Sequence, residues 1–181
     1  IKTISDVESR LSAGADKVVI NTQAVYKPEF IRECSRIFGS QCIVVSIDAR
    51  ASKDSWGVYS DYGKNPIGET PSEFAKKVQD YGAGEILINS IDNDGAGNGY
   101  DIKLVKSVVD SVSIPVIALG GAGVPEHFSE CIDSASPDAI AASNIFQYTE
   151  NSYFNINRFL YNNSFNVRRP ELETIFEAGD N

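Results

Sequence analysis

Short apolar runs alternate with helical patterns along this chain of 181 residues, and that alternation limits the possible folds more than any other feature. The clearest run is CIVVSID at residues 42–48. A nearly continuous apolar run of strand length is typical of a parallel strand buried on both faces. The alternation predicts a parallel α/β architecture, which both a doubly wound sheet and a (β/α)8 barrel would satisfy. Strands are predicted at residues 17–20, 42–48, 85–88, 115–119 and 138–142, and helices at 5–13, 28–37, 71–81, 102–109, 126–132 and 153–161.

Two capping boxes predict where helices begin. A serine or threonine followed three residues later by glutamate satisfies free N–H groups at a helix start. Ser5 with Glu8 and Thr70 with Glu73 have this spacing, and a proline follows Thr70 at the first helical position. Residues 56–60 predict a small hairpin arm.

The predicted strands end in small or polar residues. The set comprises Asn21–Thr22, Asp48, Asn89–Ser90, Gly120–Gly121 and Ser143–Asn144. In a barrel these ends share the C-terminal face, where active sites are built. No GxGxxG motif follows the first strand, which disfavours a Rossmann dinucleotide site. In addition, AGADKVVINT at residues 13–22 aligns with ASPDAIAASN at residues 135–144, which suggests two similar half-barrels.

Composition excludes several classes of partner. The net charge is −9 with no basic run, so nucleic acid and acidic membranes are poor partners. No apolar run approaches the roughly 20 residues of a membrane span. Three scattered cysteines indicate a reducing, cytoplasmic setting. The chain opens on Ile1 and contains no methionine, so we expect its natural beginning to lie upstream.

The stretch LINSIDNDGAGNGYD at residues 87–101 admits a calcium loop, a phosphate cradle or a tight turn. Counted from Asp92 as an EF-hand, position 5 is Ala96 and position 12 is Lys103. Calcium needs oxygen ligands at both positions, so the calcium interpretation is disfavoured. The spacing alone leaves the other two open.

Several positions could carry chemistry. Asp48 ends the most apolar strand, which suits acid–base work, although a turn or helix cap would also place an aspartate there. The glycine-rich stretches at residues 118–123 and 141–144 suit a phosphate site, or tight turns alone. Lys17 and Glu85 start their strands, where the default is a stabilising ion pair. His127 is the one histidine, interpreted as a surface or packing residue, so neither a histidine triad nor zinc is expected.

At these residues the sequence resembles the HisF family, the cyclase subunits of imidazole glycerol phosphate synthase. The motifs are GADKVVINTQAV, FGSQCIVVSIDAR, GAGEILINSIDNDGAGNGYD and GGAGVPEHF. The resemblance implies one HisF-like domain over residues 1–181 that forms a partial (β/α)8 barrel lacking strands 1 to 3. It also implies conversion of phosphoribulosyl-formimino-AICAR phosphate to imidazole glycerol phosphate and AICAR, with no cofactor or metal and with a HisH-like glutaminase as partner.

The resemblance also assigns roles to residues. Asp48 is implied as a catalytic aspartate, and the family's other catalytic aspartate would lie upstream of Ile1. One substrate phosphate would be held by Asn21 and Thr22, and the other by Gly95, Gly121, Ala142 and Ser143. The active-site lining would include Asn89, Asp94 and Leu119. At the barrel bottom, Lys17 and Glu85 match the ammonia gate, and Asp16 and Gln41 match the glutaminase interface.

Two positions depart from the family pattern. Asn89 stands where HisF usually has threonine, and Leu119 stands where it has serine. Such changes resemble HisF-like paralogues that supply ammonia for amidination of a surface-polysaccharide sugar. A non-catalytic partner of the glutaminase is a third possibility.

Overall fold

The computed structural model describes residues 1–53, 55–147 and 152–170. Five parallel strands form the body of one sheet, and they are β1 (Val18–Ile20), β2 (Ile43–Ser52), β5 (Glu85–Ser90), β6 (Val116–Leu119) and β7 (Ala139–Ile140). A hairpin arm of β3 (Ser55–Ser60) and β4 (Asn65–Pro66) adds antiparallel to the second half of β2.

The order of the parallel strands decides between the two predicted architectures. The neighbours run β1–β2–β5–β6–β7, so every new parallel strand is added on the same side. A doubly wound sheet would instead reverse at a switch point. This progressive order is that of a barrel, and the sheet is an open part of one, because β1 and β7 do not pair within the described residues. The two repeated segments contribute these two edge strands.

Seven helices accompany the sheet in the described residues: α1 (Ile4–Ser12), α2 (Thr22–Tyr26), α3 (Glu29–Phe38), α4 (Pro71–Asp80), α5 (Ile102–Val109), α6 (Pro125–Ala135) and α7 (Tyr153–Asn162). Amphipathic helices form because one face carries the apolar residues; α4, for example, buries Phe74, Ala75 and Val78. Burial of a phenylalanine side chain typically contributes about 1.5–3 kcal/mol. The helices thus hold the sheet from one side.

The two faces of the sheet differ in burial. Val18 and Ile20 are 4% and 0% exposed beneath the helices, whereas Val19 between them is 48% exposed on the opposite face. The strand register places Val19 beside Val44, and Val44 beside Glu85, on that opposite face. In a closed (β/α)8 barrel this face lines the interior. We refer to it below as the inner face.

Three local predictions were wrong or incomplete. The first capping box is Thr3 with Asp6 rather than Ser5 with Glu8, because Asp6 accepts the N–H of Thr3 while Thr3 accepts the N–H of Asp6. Helix α2 was not predicted. Strand β2 runs to Ser52 rather than residue 48, because the arm pairs with its polar second half. The predicted Thr70–Glu73 box and the hairpin arm are confirmed.

Candidate functional site

The Asp48 carboxylate lies on the inner face, between two asparagine side chains from neighbouring elements. Asn21, at the end of β1, donates its amide N–H to Oδ2 at 3.0 Å. Asn89, on β5, donates to Oδ1 at 3.3 Å. The parallel register brings these side chains together, since Asp48 pairs directly with Asn89. Both carboxylate oxygens therefore have a fixed donor, which orients the acid before any ligand binds.

Thr22 and Asn21 form one rim of the site. The Thr22 hydroxyl donates to the Asn21 Oδ1 at 3.3 Å, and the Asn21 amide in turn donates to Asp48. The amide orientation is thus set by a threonine on one side and a carboxylate on the other. The Asn89 Oδ1 differs, because this buried oxygen has no hydrogen-bond partner within the described residues.

The opposite rim is built from the ends of β5, β6 and β7. One depression is lined there by residues from three loops, including Asp94, Gly95, Leu119, Gly121, Ala142 and Ser143. The family resemblance implied these six residues for a phosphate cradle and its lining, and the fold brings all six together. Glycine, alanine and serine make up most of the lining, and these residues let a bound anion approach the backbone closely.

Direct backbone contact fixes the shape of this depression. The Gly99 N–H donates to the Gly121 carbonyl at 2.9 Å, and a Cβ added at Gly121 would overlap the Gly99 carbonyl. Gly121 has φ +114°, in the region that favours glycine. The Tyr100 hydroxyl donates to the Ala141 carbonyl at 3.0 Å, and Ala141 immediately precedes Ala142 and Ser143 in the depression. The loop at residues 91–101 therefore contacts both the segment after β6 and the segment after β7, and it connects them.

His127 holds the segment after β6 against the loop at residues 91–101. The sequence predicted only a surface or packing residue at this position. The histidine lies in the first turn of α6, and its Nδ1 accepts the N–H of Gly123 at 3.1 Å. Its ring faces Gly99. The spacing GAGVPEH, with histidine four residues after the last glycine of a loop, is the signal that could have indicated this contact.

The aspartates of this loop do not form a cluster of calcium ligands in the described residues. Asp92 turns away to pair with Arg50 at 3.4 Å and to accept the Ala51 N–H at 2.8 Å. In the described ranges, no three histidine, cysteine, aspartate or glutamate side chains meet as a metal group would require.

Arg50 brings a positive charge to the site, and the sequence analysis missed it. It lies two residues after Asp48 on β2, so the strand period of two places both on the inner face. Its guanidinium stacks over the Tyr59 ring at 5.1 Å from the centroid. Tyr59 is the register partner of Asp48 on the arm. An arginine two positions after a strand-end aspartate was the available signal.

The other end of the inner face carries the second set of predicted residues. Lys17 and Glu85 form an ion pair, with side chains 45% and 18% exposed. Glu85, Leu87 and Asn89 alternate along β5, so the ion pair and Asp48 lie at opposite ends of one face. Asp16 and Gln41 are exposed, and they lie at this same end of the sheet, just before β1 and β2 begin. The structure therefore divides the predicted residues into two groups, one at each end of the strands.

Comparison with known families fits this geometry. Residues 1–151 match the family described as "Histidine biosynthesis protein". The chain belongs to the histidine biosynthesis protein family. This family contains HisF and HisA and has the (β/α)8 barrel fold, so the predicted family resemblance and the partial barrel are confirmed. The family is enzymatic, which places the protein among enzymes of the HisA/HisF type.

The matched range covers both ends of the sheet. Every residue assigned above to the Asp48 site, to the glycine-rich depression or to the ion pair lies within residues 1–151. None of the helices in the described ranges has both the length and the apolar composition needed to cross a bilayer.

Proposed function

We propose that the protein acts as a HisF-type synthase subunit within this family. It would use ammonia from a HisH-like glutaminase and convert phosphoribulosyl-formimino-AICAR phosphate to imidazole glycerol phosphate and AICAR. The observation that carries the proposal is the position of Asp48, an oriented carboxylate between the Asn21–Thr22 rim and the glycine-rich depression. A substrate with a phosphate at each end would span these rims and present its reacting centre to the acid.

The chemistry asked of Asp48 is proton transfer. A carboxylate held within hydrogen-bond reach of a reacting group typically contributes about 10²–10⁴-fold to turnover. The rims would supply orientation, because backbone N–H groups and small polar side chains suit phosphate oxygens. Arg50, the cation nearest to Asp48 along β2, is paired with Asp92, and it would offset part of the substrate's negative charge by exchanging that partner for the substrate.

The ion pair at the far end suits a role in passage. Ammonia that enters at the Lys17–Glu85 end would have to move along the inner face to reach Asp48. A partner docked at that end would contact the exposed Asp16 and Gln41. The placement of entry and chemistry at opposite ends is the feature that favours a two-subunit synthase over an enzyme that takes its whole substrate from one side.

A second candidate is a HisF-like paralogue that supplies ammonia for amidination of a surface-polysaccharide sugar. Two observations favour it. Leu119 presents an alkyl side chain to the depression, where a hydroxyl could have contacted a polar substrate. Asn89 contacts Asp48 directly and keeps a buried oxygen without a partner. Both departures alter the Asp48 end of the inner face, and they leave the Lys17–Glu85 ion pair at the other end in place.

One experiment separates the candidates. The complete natural protein is supplied with ammonium salt and the bis-phosphorylated substrate, and release of imidazole glycerol phosphate and AICAR is measured. Turnover in the range of about 1–10³ per second, which is typical of enzymes, supports the cyclase. Absence of product, together with ammonia-dependent amidination of a nucleotide-linked sugar by the protein and its sugar-modifying partner, would replace the first proposal by the second.

A further inference from the structure

We propose that Asp61 is a positioning residue that latches the turn of the β3–β4 arm onto α2 and, through Thr22, fixes the Asn21 amide on Asp48. The inference rests on the proposed role of Asp48. It concerns the turn that joins β3 to β4 in the arm.

The Asp61 carboxylate is the centre of a cluster of hydrogen bonds. The hydroxyl of Tyr26, on α2, donates to its Oδ2, and so do the Ser60 hydroxyl at 3.1 Å and the Asn65 amide at 2.7 Å. These bonds, with that from Tyr26 the largest cause, lower the pKa of the Asp61 carboxyl. The donors come from both strands of the arm and from α2, so one side chain joins two elements.

The turn needs such a latch because its backbone is unfavourable. Asp61, Tyr62 and Gly63 adopt φ values of +51°, +61° and +76° in succession. Only glycine enters this region without cost, and a bulky residue such as tyrosine persists there only when the surroundings hold it. Tyr62 is 94% exposed, so its own side chain does not provide the hold.

A directional chain of hydrogen bonds leads from this turn to the acid. The Asp61 N–H donates to the Thr22 hydroxyl at 3.3 Å, which donates to the Asn21 Oδ1, whose amide N–H donates to Asp48. Each member both accepts and donates, and such chains polarise one another. An asparagine amide can turn over in its site. The Asp48 carboxylate only accepts hydrogen bonds and so requires the amide N–H, and the Thr22 hydroxyl that donates to Oδ1 helps to hold the amide in that orientation.

The first test asks whether the latch exists. In the complete protein, Tyr26→Phe removes one bond to Asp61 and should speed chymotrypsin cleavage after Tyr62 by roughly 3- to 10-fold, the factor that corresponds to one net hydrogen bond. Asp61→Ala removes all three side-chain bonds and should speed this cleavage at least as much. Tyr153→Phe, an exposed tyrosine on α7, is the matched control and should leave the rate unchanged. Cleavage after Tyr161, on the same distant helix, reports opening of a region remote from the arm and should not rise. An unchanged rate at Tyr62 in both variants would overturn the latch.

The second test asks whether Asp61 acts through Asn21. With ammonium salt as the nitrogen source, Asp61→Ala should lower turnover by roughly 3- to 10-fold in the natural background. In an Asn21→Ala background the same substitution should have no further effect, because the chain is already broken. Equal factors in both backgrounds would show that Asp61 acts by another route and would overturn the positioning role.

A third measurement does not need turnover. The NMR resonances of the Asn21 side-chain amide should shift in Tyr26→Phe and in Asp61→Ala, whereas those of the buried Asn157 on α7 should stay in place. Should the natural protein lack cyclase activity, the proposed function fails, and the cleavage and the Asn21 resonances still decide the latch. Unmoved Asn21 resonances in both variants would contradict it.

Discussion

At the scale of single residues, Gly121 is the position where the candidate phosphate depression tolerates least change. A Cβ there would overlap the Gly99 carbonyl, and its φ of +114° already disfavours a side chain. Gly121→Ala should therefore destabilise the fold by more than the roughly 1–3 kcal/mol that backbone strain alone costs. Urea unfolding measures the difference. Gly14→Ala is the matched control, because Gly14 has φ +100° with open space around it and so reports the strain alone. Equal losses in the two variants would contradict the loop contact.

The three thiols make a second prediction at this scale. Burial raises the pKa of Cys34 to about 11 and that of Cys131 to about 12. Both thiols stay protonated at pH 8, so a thiol reagent should modify the half-buried Cys42 first, and the other two at the rate of unfolding. Mass spectrometry of the labelled peptides decides the order.

The same shifts give stability a pH dependence. A raised thiol pKa favours the folded state fully below the unfolded value near 9, and this contribution is lost as the pH rises through the folded values. Thermal stability should therefore decline above about pH 9. In the labelling experiment described above, modification of Cys131 before Cys42 in the folded protein would contradict the burial of Cys131 on which both predictions rest.

Asp48 shows what a sequence can reveal about a site. The apolar run at residues 42–48 predicted a buried strand with Asp48 on it, and the strand period then gave its face, although β2 continues to Ser52 rather than ending at Asp48. Arg50 had a local signal in its spacing from Asp48, but Tyr26 and Asp61 were missed for a physical reason. Their contacts depend on the arm folding back over β2 and α2, and no local pattern encodes where a hairpin comes to rest.

At the scale of elements, Asp101 joins the arm to α5. Its Oδ1 accepts the N–H of Leu104 as the helix cap, and its Oδ2 accepts the indole N–H of Trp56 at 2.7 Å. Asp101→Ala removes both contacts and should destabilise the protein by roughly 1–3 kcal/mol. Asp101→Ser is the matched variant, because serine keeps the cap and loses the indole. Equal losses for the two would show that Trp56 contributes nothing, which urea unfolding can measure.

The predicted elements were accurate where the signals were local. Helix α5 matches its predicted range, and α4 begins at the proline of its capping box. The errors came from tertiary context. The polar end of β2 is a strand only because the arm pairs with it, and α2 is a five-residue turn of helix without a capping side chain. The box at the start of α1 pairs Thr3 with Asp6, and this aspartate falls outside the serine or threonine with glutamate pattern that pointed to Ser5 and Glu8.

At the scale of the whole molecule, the separation of the two ends of the inner face predicts uncoupling. In the proposed complex with a glutaminase, Lys17→Ala should leave turnover with ammonium salt largely intact, because Lys17 is remote from Asp48. Glutamate release from glutamine should continue while product formation from glutamine falls. Lys106→Ala, which removes an exposed ion pair on α5, is the control for loss of a surface charge. An equal fall with both nitrogen sources would contradict a role in passage.

The most direct measurement is turnover of the complete protein with Asp48→Asn and ammonium salt as the nitrogen source. Asparagine keeps the shape of the side chain and cannot transfer the proton. We predict that kcat falls by about 10²–10⁴-fold. KM should change little, since the substrate phosphates are held on the two rims. Conversion of the bis-phosphorylated substrate at close to the natural rate by Asp48→Asn would contradict the proposal that this carboxylate performs the chemistry.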